Sequence, residues 1–197
     1  MKKILSIAVA LMMSAAAFAQ TSIVPHVGVG YGHVADMKGT DITGDDIDYG
    51  AGVSINIGAD IVQQISDNFS VSGGLNYNYF EGTEEKIKFL GQEVKNVLKL
   101  GFLDIPLLAH YNFTSHFGAF AGLQPSFLLS AKNDKLDIKD NCKSFQLSVP
   151  LGLEYTFNEP IVLGAQVNLP LTKLNDDDIL DQKFTLFMLK VGYRFEL

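Results

Sequence analysis

The chain has no tryptophan, six prolines and a single cysteine, Cys142, among its 197 residues. One cysteine excludes an internal disulfide in any redox compartment. A metal site at Cys142 needs partners that are not visible nearby, so it reads as a free thiol in or beside a loop. Positive charge is also scarce: 15 Lys and Arg stand against 22 Asp and Glu, a net charge of −7. An acidic chain with scattered lysines repels phosphates, which excludes nucleic acid as a partner. After the first twenty residues no stretch offers about 18 uninterrupted apolar residues, so no membrane-spanning helix is expected. The chain is nonetheless 47% hydrophobic, which excludes disorder.

What is present begins with an export segment. Lys2 and Lys3 precede an apolar stretch from Ile4 to Ala17, and Ala17-Phe18-Ala19 has the small-x-small form of a signal-peptidase site. Residues 1–19 are therefore expected to be removed after Ala19, leaving residues 20–197 as one domain of 197 − 19 = 178 residues.

That domain alternates. Its last eleven residues, FMLKVGYRFEL, place bulky apolar side chains on odd numbers and Lys190, Arg194 and Glu196 on even ones. A two-residue period is that of a β-strand, whose successive side chains point to opposite faces. The pattern recurs over Ile23 to Val34, Tyr49 to Ile65, Phe69 to Phe80, Leu98 to Phe113, Phe117 to Ser130, Phe145 to Phe157, Ile161 to Leu171 and Phe184 to Leu197. Tight turns at Ser66-Asp67-Asn68, Thr114-Ser115-His116 and Asn158-Glu159-Pro160 alternate with polar loops over Ala35 to Asp48, Glu81 to Val97, Ala131 to Ser144 and Thr172 to Lys183. Short turns at one end and long loops at the other predict an all-β, eight-stranded antiparallel up-and-down transmembrane β-barrel, its turns periplasmic and its loops outward. Lys86-Ile87-Lys88-Phe89 with a turn at Gly91-Gln92 makes the second loop a hairpin, and an amphipathic helix on Ile87, Leu90 and Val94 is the rival.

The two faces identify the solvent. Val53, Ile55 and Ile57, Leu103 to Phe113, Leu151 to Phe157 and Phe187 to Leu197 supply an uncharged odd-numbered face. Gly, Ser, Asn, Pro and a few charges fill the other. A soluble barrel would turn its bulky face inward and cover its outside with charge. Here the bulky face suits outer-membrane lipid and the small polar face suits a crowded lumen. Tyr111, Phe113, Tyr155, Phe157, Tyr193 and Phe195, near the turn-side strand ends, form an aromatic girdle.

Inside the lumen, Asp60, His110, Glu154 and Arg194 fall toward the turn side, with Asp104 and Lys190 higher. Carboxylates in a narrow interior keep their charge when paired, so these six are expected to form a charge network in which Arg194 or Lys190 neutralises the acids and plugs the barrel. The rival is a catalytic or proton-relay dyad of Asp104 or Glu154 with His110, for which a filled eight-stranded lumen leaves little room. No metal or cofactor is expected. Asp41, Asp45, Asp46 and Asp48, and Asp176 to Asp178, lack the spacing of an EF-hand loop, and Gly28, Gly30 and Gly32 precede no helix, so they are no dinucleotide fingerprint.

FLDIPLLAHYNF, from Phe102 to Phe113, resembles a segment of the outer-membrane β-barrel proteins of Bacteroidetes called PorT-like, and VGYRFEL resembles their closing strand. The likeness spans essentially the whole mature chain and concerns fold and assembly more than activity. It implies that the final strand, through Tyr193, Phe195 and Leu197, is read by the barrel-assembly machinery during insertion, although Leu197 stands where many barrels end in Phe. The reading is thus of a non-enzymatic barrel in the bacterial outer membrane, with a plugged lumen and exposed loops, serving envelope structure or binding an envelope protein partner. An accessory of a secretion or assembly complex is the alternative that the PorT-like resemblance implies. A small barrel enzyme acting on lipid or peptide is the third.

Overall fold

The computed structural model describes residues 21–40, 46–83, 87–89, 92–94, 97–134, 136–157, 160–174 and 182–197. The expected export segment and most of the acidic run from Asp41 to Asp48 and all of Asp176 to Asp178 lie outside them or lack described side chains. Eight strands carry the fold: β1 (Thr21–Thr40), β2 (Asp46–Ser66), β3 (Phe69–Thr83), β4 (Val97–Asp104 and Leu107–Asn112), β5 (Phe117–Asn133), β6 (Phe145–Phe157), β7 (Ile161–Pro170) and β8 (Gln182–Tyr193, continued by Phe195–Glu196). Each pairs antiparallel with its sequence neighbours, and β8 pairs β1, from His26 opposite Gly192 to Asp36 opposite Gln182, so the sheet closes. Closure leaves no unpaired edge, which a spanning sheet requires.

β4 breaks at Ile105-Pro106 because proline has no N–H for the ladder. The flanking strands stay joined there: Gly74 N donates to Pro106 O at 3.1 Å and Ile105 N to Pro125 O at 2.8 Å. Following the register once round from Val24 through Asp60, Gly74, the Pro106 break, Gln124, Ser148, Pro170 and Phe184 returns to Val34, a stagger of 34 − 24 = 10 residues. For eight strands that stagger tilts the strands by about 40° and leaves an interior only wide enough for side chains.

One irregularity resets the faces. Gly101 pairs with Ser130 but Phe102 pairs with Leu128, so Leu129 is an extra residue on β5. Below this bulge even-numbered residues of β5 point inward; above it Ala131 is buried and Lys132 is exposed.

Odd-numbered apolar residues cover the outside, Val29, Ile55, Leu107, Leu153 and Leu189 among them. At the turn side, adjacent rings pair along single strands: Tyr111 with Phe113 at 5.5 Å, Tyr155 with Phe157 at 4.7 Å and Tyr193 with Phe195 at 4.6 Å between centroids. At the loop-side rim charge reaches the outside: Lys99 Nζ lies 3.4 Å from Glu81 Oε2, and Tyr79 donates its hydroxyl hydrogen to the same oxygen at 2.9 Å.

The loop-side end of the lumen differs from the small polar interior expected of it. Val34, Phe80, Leu98, Leu100, Phe102, Leu128, Ala131 and Leu174 form one buried apolar cluster, with Ile138, Cys142 and Phe184 packed against it. Two of its members come from the loops. Ile138 lies in the segment after β5, tied by its N–H to Ala131 O at 3.0 Å, and Leu174 follows β7, its carbonyl accepting from Lys143 N at 2.8 Å. Phe80 sits edge-on to Phe184 at 4.9 Å. Gly32 and Gly82 make room for it, since a Cβ at either would come within 2.7 or 2.6 Å of its ring. The second loop carries a hairpin, Ile87–Phe89 against Gln92–Val94, with Phe89 opposite Gln92; Gly91 of the expected turn lies outside the described residues.

Candidate functional site

Beneath the apolar cluster the lumen turns polar. Ser54, Asn56, Asn76, Asn78, Gln124, Ser126, Gln166 and Asn168 are buried on inward positions. They bond one another: Ser54 Oγ donates to Asn78 Oδ1 at 2.6 Å, and Gln166 Nε2 to Asn168 Oδ1 at 2.7 Å. Asp104 belongs to this layer. It is almost fully buried, accepts from the side chains of Ser126 and Asn78, and lines a cavity of about 30 Å³.

The other five expected network residues gather lower down. Asp60, His110, Glu154, Lys190 and Arg194 all line one cavity of about 60 Å³ on the turn side, together with His26. Lys190 is therefore grouped with the lower set, not with Asp104, although it remains within electrostatic reach of both Asp60 and Asp104. The pairing also differs from expectation. Among the described residues the acids' close partners are histidines: His26 Nδ1 is 3.5 Å from Asp60 Oδ2, and His110 Nδ1 is 3.2 Å from Glu154 Oε2. Arg194 Nε has no hydrogen-bond partner among the described residues. Its backbone N–H holds the last turn by donating to Pro160 O at 2.7 Å.

His26 was not read from the sequence. The available signal was its parity: it shares the even-numbered face of Gly28, Gly30 and Gly32, which puts an imidazole in the lumen. Ser72 was missed as well. Its Oγ lies 2.8 Å from His110 Nε2. Glu154 faces Nδ1, so a proton on that nitrogen leaves Nε2 to accept the Ser72 hydroxyl hydrogen. Serine, histidine and carboxylate thus stand in the order of a nucleophile, base and orienting acid. The surroundings do not fit acyl transfer: all three side chains are largely buried, and the adjacent cavity has room for only about two waters at roughly 30 Å³ each.

Tyr193, Phe195 and Leu197, the residues assigned to assembly, all point outward on the closing strand, where Ser22 pairs with Glu196 and Ile23 with Phe195. Among the described residues no group of three or more His, Cys, Asp or Glu is placed to hold a metal ion.

A closed eight-stranded barrel with an apolar outer belt, aromatic rings at its turn-side rim and a packed lumen defines a membrane-spanning barrel of the bacterial outer membrane. Comparison agrees: a sequence profile described as "Outer membrane protein beta-barrel domain" matches residues 18–176, and the chain belongs to that family. No curated protein sequence matches it. Among solved structures, the fold is similar to Neisserial surface protein A, at 15% identity and TM-score 0.59, covering 88% of this chain and 97% of that one. It is also similar to Ail, the attachment invasion locus protein of Yersinia pestis, solved with the heparin analogue sucrose octasulfate, at 16% identity and TM-score 0.53, covering 90% and 99%. At these identities the likeness is one of fold.

Proposed function

We propose that this chain is a non-enzymatic outer-membrane barrel whose lumen is a structural plug and whose outward loops meet an envelope partner. The observation that carries the reading is the filling of the lumen in series: an apolar cluster at the loop side, a polar layer beneath it, and cavities of only about 30 and 60 Å³. A solute path needs a continuous opening, and an interior this narrow is filled by its own side chains. Binding chemistry is then left to the loops, and the outward apolar belt is left to lipid. In a planar bilayer the refolded protein is expected to give no stable conductance. A large, steady single-channel current would overturn the plug. Crosslinking from the loops in intact cells, followed by purification, identifies the partner.

The accessory role in a secretion or assembly complex is supported by the resemblance of FLDIPLLAHYNF, which brackets the Pro106 break in β4, to a segment of PorT-like barrels. Co-purification of secretion components with this barrel, and their loss when the loops are exchanged, favours that role over general envelope binding. Insertion itself is assigned to the barrel-assembly machinery, which would read the outward Tyr193, Phe195 and Leu197.

A further inference from the structure

Three buried polar atoms from three strands lack a hydrogen-bond partner and belong to residues lining the same lumen cavity: His26 Nε2 on β1, Asp60 Oδ1 on β2 and Arg194 Nε on β8. The His26 side chain is only 4% exposed, so bulk water does not serve it. Buried polar groups are almost always satisfied, and three exceptions on residues that line one void point to the void's contents as a partner.

Their chemistry selects the guest. His26 Nδ1 faces Val24 O at 3.3 Å and Asp60 Oδ2 at 3.5 Å, both acceptors, so in the neutral ring the proton sits on Nδ1 and Nε2 is an acceptor. Asp60 Oδ1 also accepts, whereas Arg194 Nε donates. A simple anion satisfies Arg194 and leaves two acceptors bare; a bare cation does the reverse. Water both donates and accepts, and a cavity of about 60 Å³ holds about two molecules at roughly 30 Å³ each.

We propose that this cavity is a built-in water site, in which about two waters bridge His26, Asp60 and Arg194 and join the His26–Asp60 pair to the His110–Glu154 pair on the same wall. The plug is then a hydrated network locked across β1, β2, β4, β6 and β8, independent of what the loops bind.

Two measurements on the full mature chain, refolded in micelles, test this. In a nitrogen-15-labelled sample, the Arg194 Nε–H is expected to show magnetisation transfer from long-lived water; an observed Arg194 resonance without such transfer overturns the site. The second measurement uses Gly164, which lines the cavity and whose added Cβ would meet nothing closer than Lys190 Cβ at 3.8 Å. In a dry void Gly164→Ala fills space and lowers the conformational entropy of the unfolded chain, both of which raise the urea midpoint. Over a water cluster the same methyl displaces a water it cannot replace, and the midpoint falls. A fall supports the site and a rise refutes it.

Discussion

Replacing Leu189, Val191 and Tyr193 by arginine, one at a time, probes the depth of the apolar belt along a single strand. All three point outward and are roughly half exposed, at 54%, 44% and 46%. With a rise of about 3.3 Å per residue and a tilt of about 40°, successive outward positions lie about 5 Å apart along the barrel axis. Tyr193 sits in the turn-side ring of aromatics, so Val191 is about 5 Å and Leu189 about 10 Å inside it, the latter close to the middle of a belt about 25 Å tall. Arginine is expected to cost about 2–4 kcal/mol at Leu189 and about 0–1 kcal/mol at Tyr193, with Val191 between. A lumen-facing control belongs beside this series. Gly192 is unsuitable, because its Cβ would lie 2.9 Å from Val24 Cγ1 and 3.2 Å from Pro25 O, so Gly192→Ser is crowded despite its polar surroundings. Gly164, opposite Lys190 on β7, has the space, and Gly164→Ser is expected to stay within about 1 kcal/mol of wild type because its hydroxyl can stand in for a water. Urea midpoints after refolding into lipid vesicles give the comparison. A flat profile across the three arginines, or a Gly164→Ser variant less stable than Leu189→Arg, would show that the odd-numbered face does not meet lipid.

Phe80→Ala is expected to lower stability by about 3–5 kcal/mol, measured by the same urea titration, while conductance stays absent because the polar layer below still fills the lumen. Cys142 is half-buried and burial pushes its thiol pKa up, so thiolate is scarce at neutral pH; alkylation is expected to be slow near pH 7 and to accelerate about tenfold per pH unit. A rate that is already level between pH 7 and pH 8, followed by mass spectrometry, contradicts that environment. Phe195→Ser, in the closing strand, is expected to slow insertion by purified assembly machinery more than it slows unassisted refolding, and equal slowing in both removes its assembly role.

The strand count, the alternation of short turns and long loops, and the outward face were all legible because a two-residue period records them directly. The lumen was legible only in its lower part. There, small or charged residues alternate with bulky ones, so the faces separate by type. Near the loops both faces carry large side chains in places, as in Leu98, Leu100 and Phe102 against Leu103, and charge moves outward at Lys99, which lies at the rim. Composition no longer marks inside from outside in such a stretch. The apolar cluster also draws on Ile138 and Leu174, which a strand pattern cannot place, since they return to the barrel from loops. His26 and Ser72 were hidden for another reason. Each acts through a cross-strand partner, and pairing of β1 with β2 or β3 with β4 depends on register, which follows from closure of the whole sheet.

The extra residue at Leu129 works like a shift of reading frame. Carried straight through from Asp104 opposite Ser126, the ladder would set Leu98 opposite Lys132 and turn that ammonium group into the apolar cluster; the inserted residue moves the frame by one and delivers Ala131 instead. Paired straight through without that bulge, the same residues exchange the inner and outer assignments of every position above it, whereas deleting Leu129 itself leaves Ala131 opposite Leu100 on the inner face. In a barrel of this kind an extra strand residue is therefore part of the register, and further length variation is tolerated where no face is being kept, in the loops and turns.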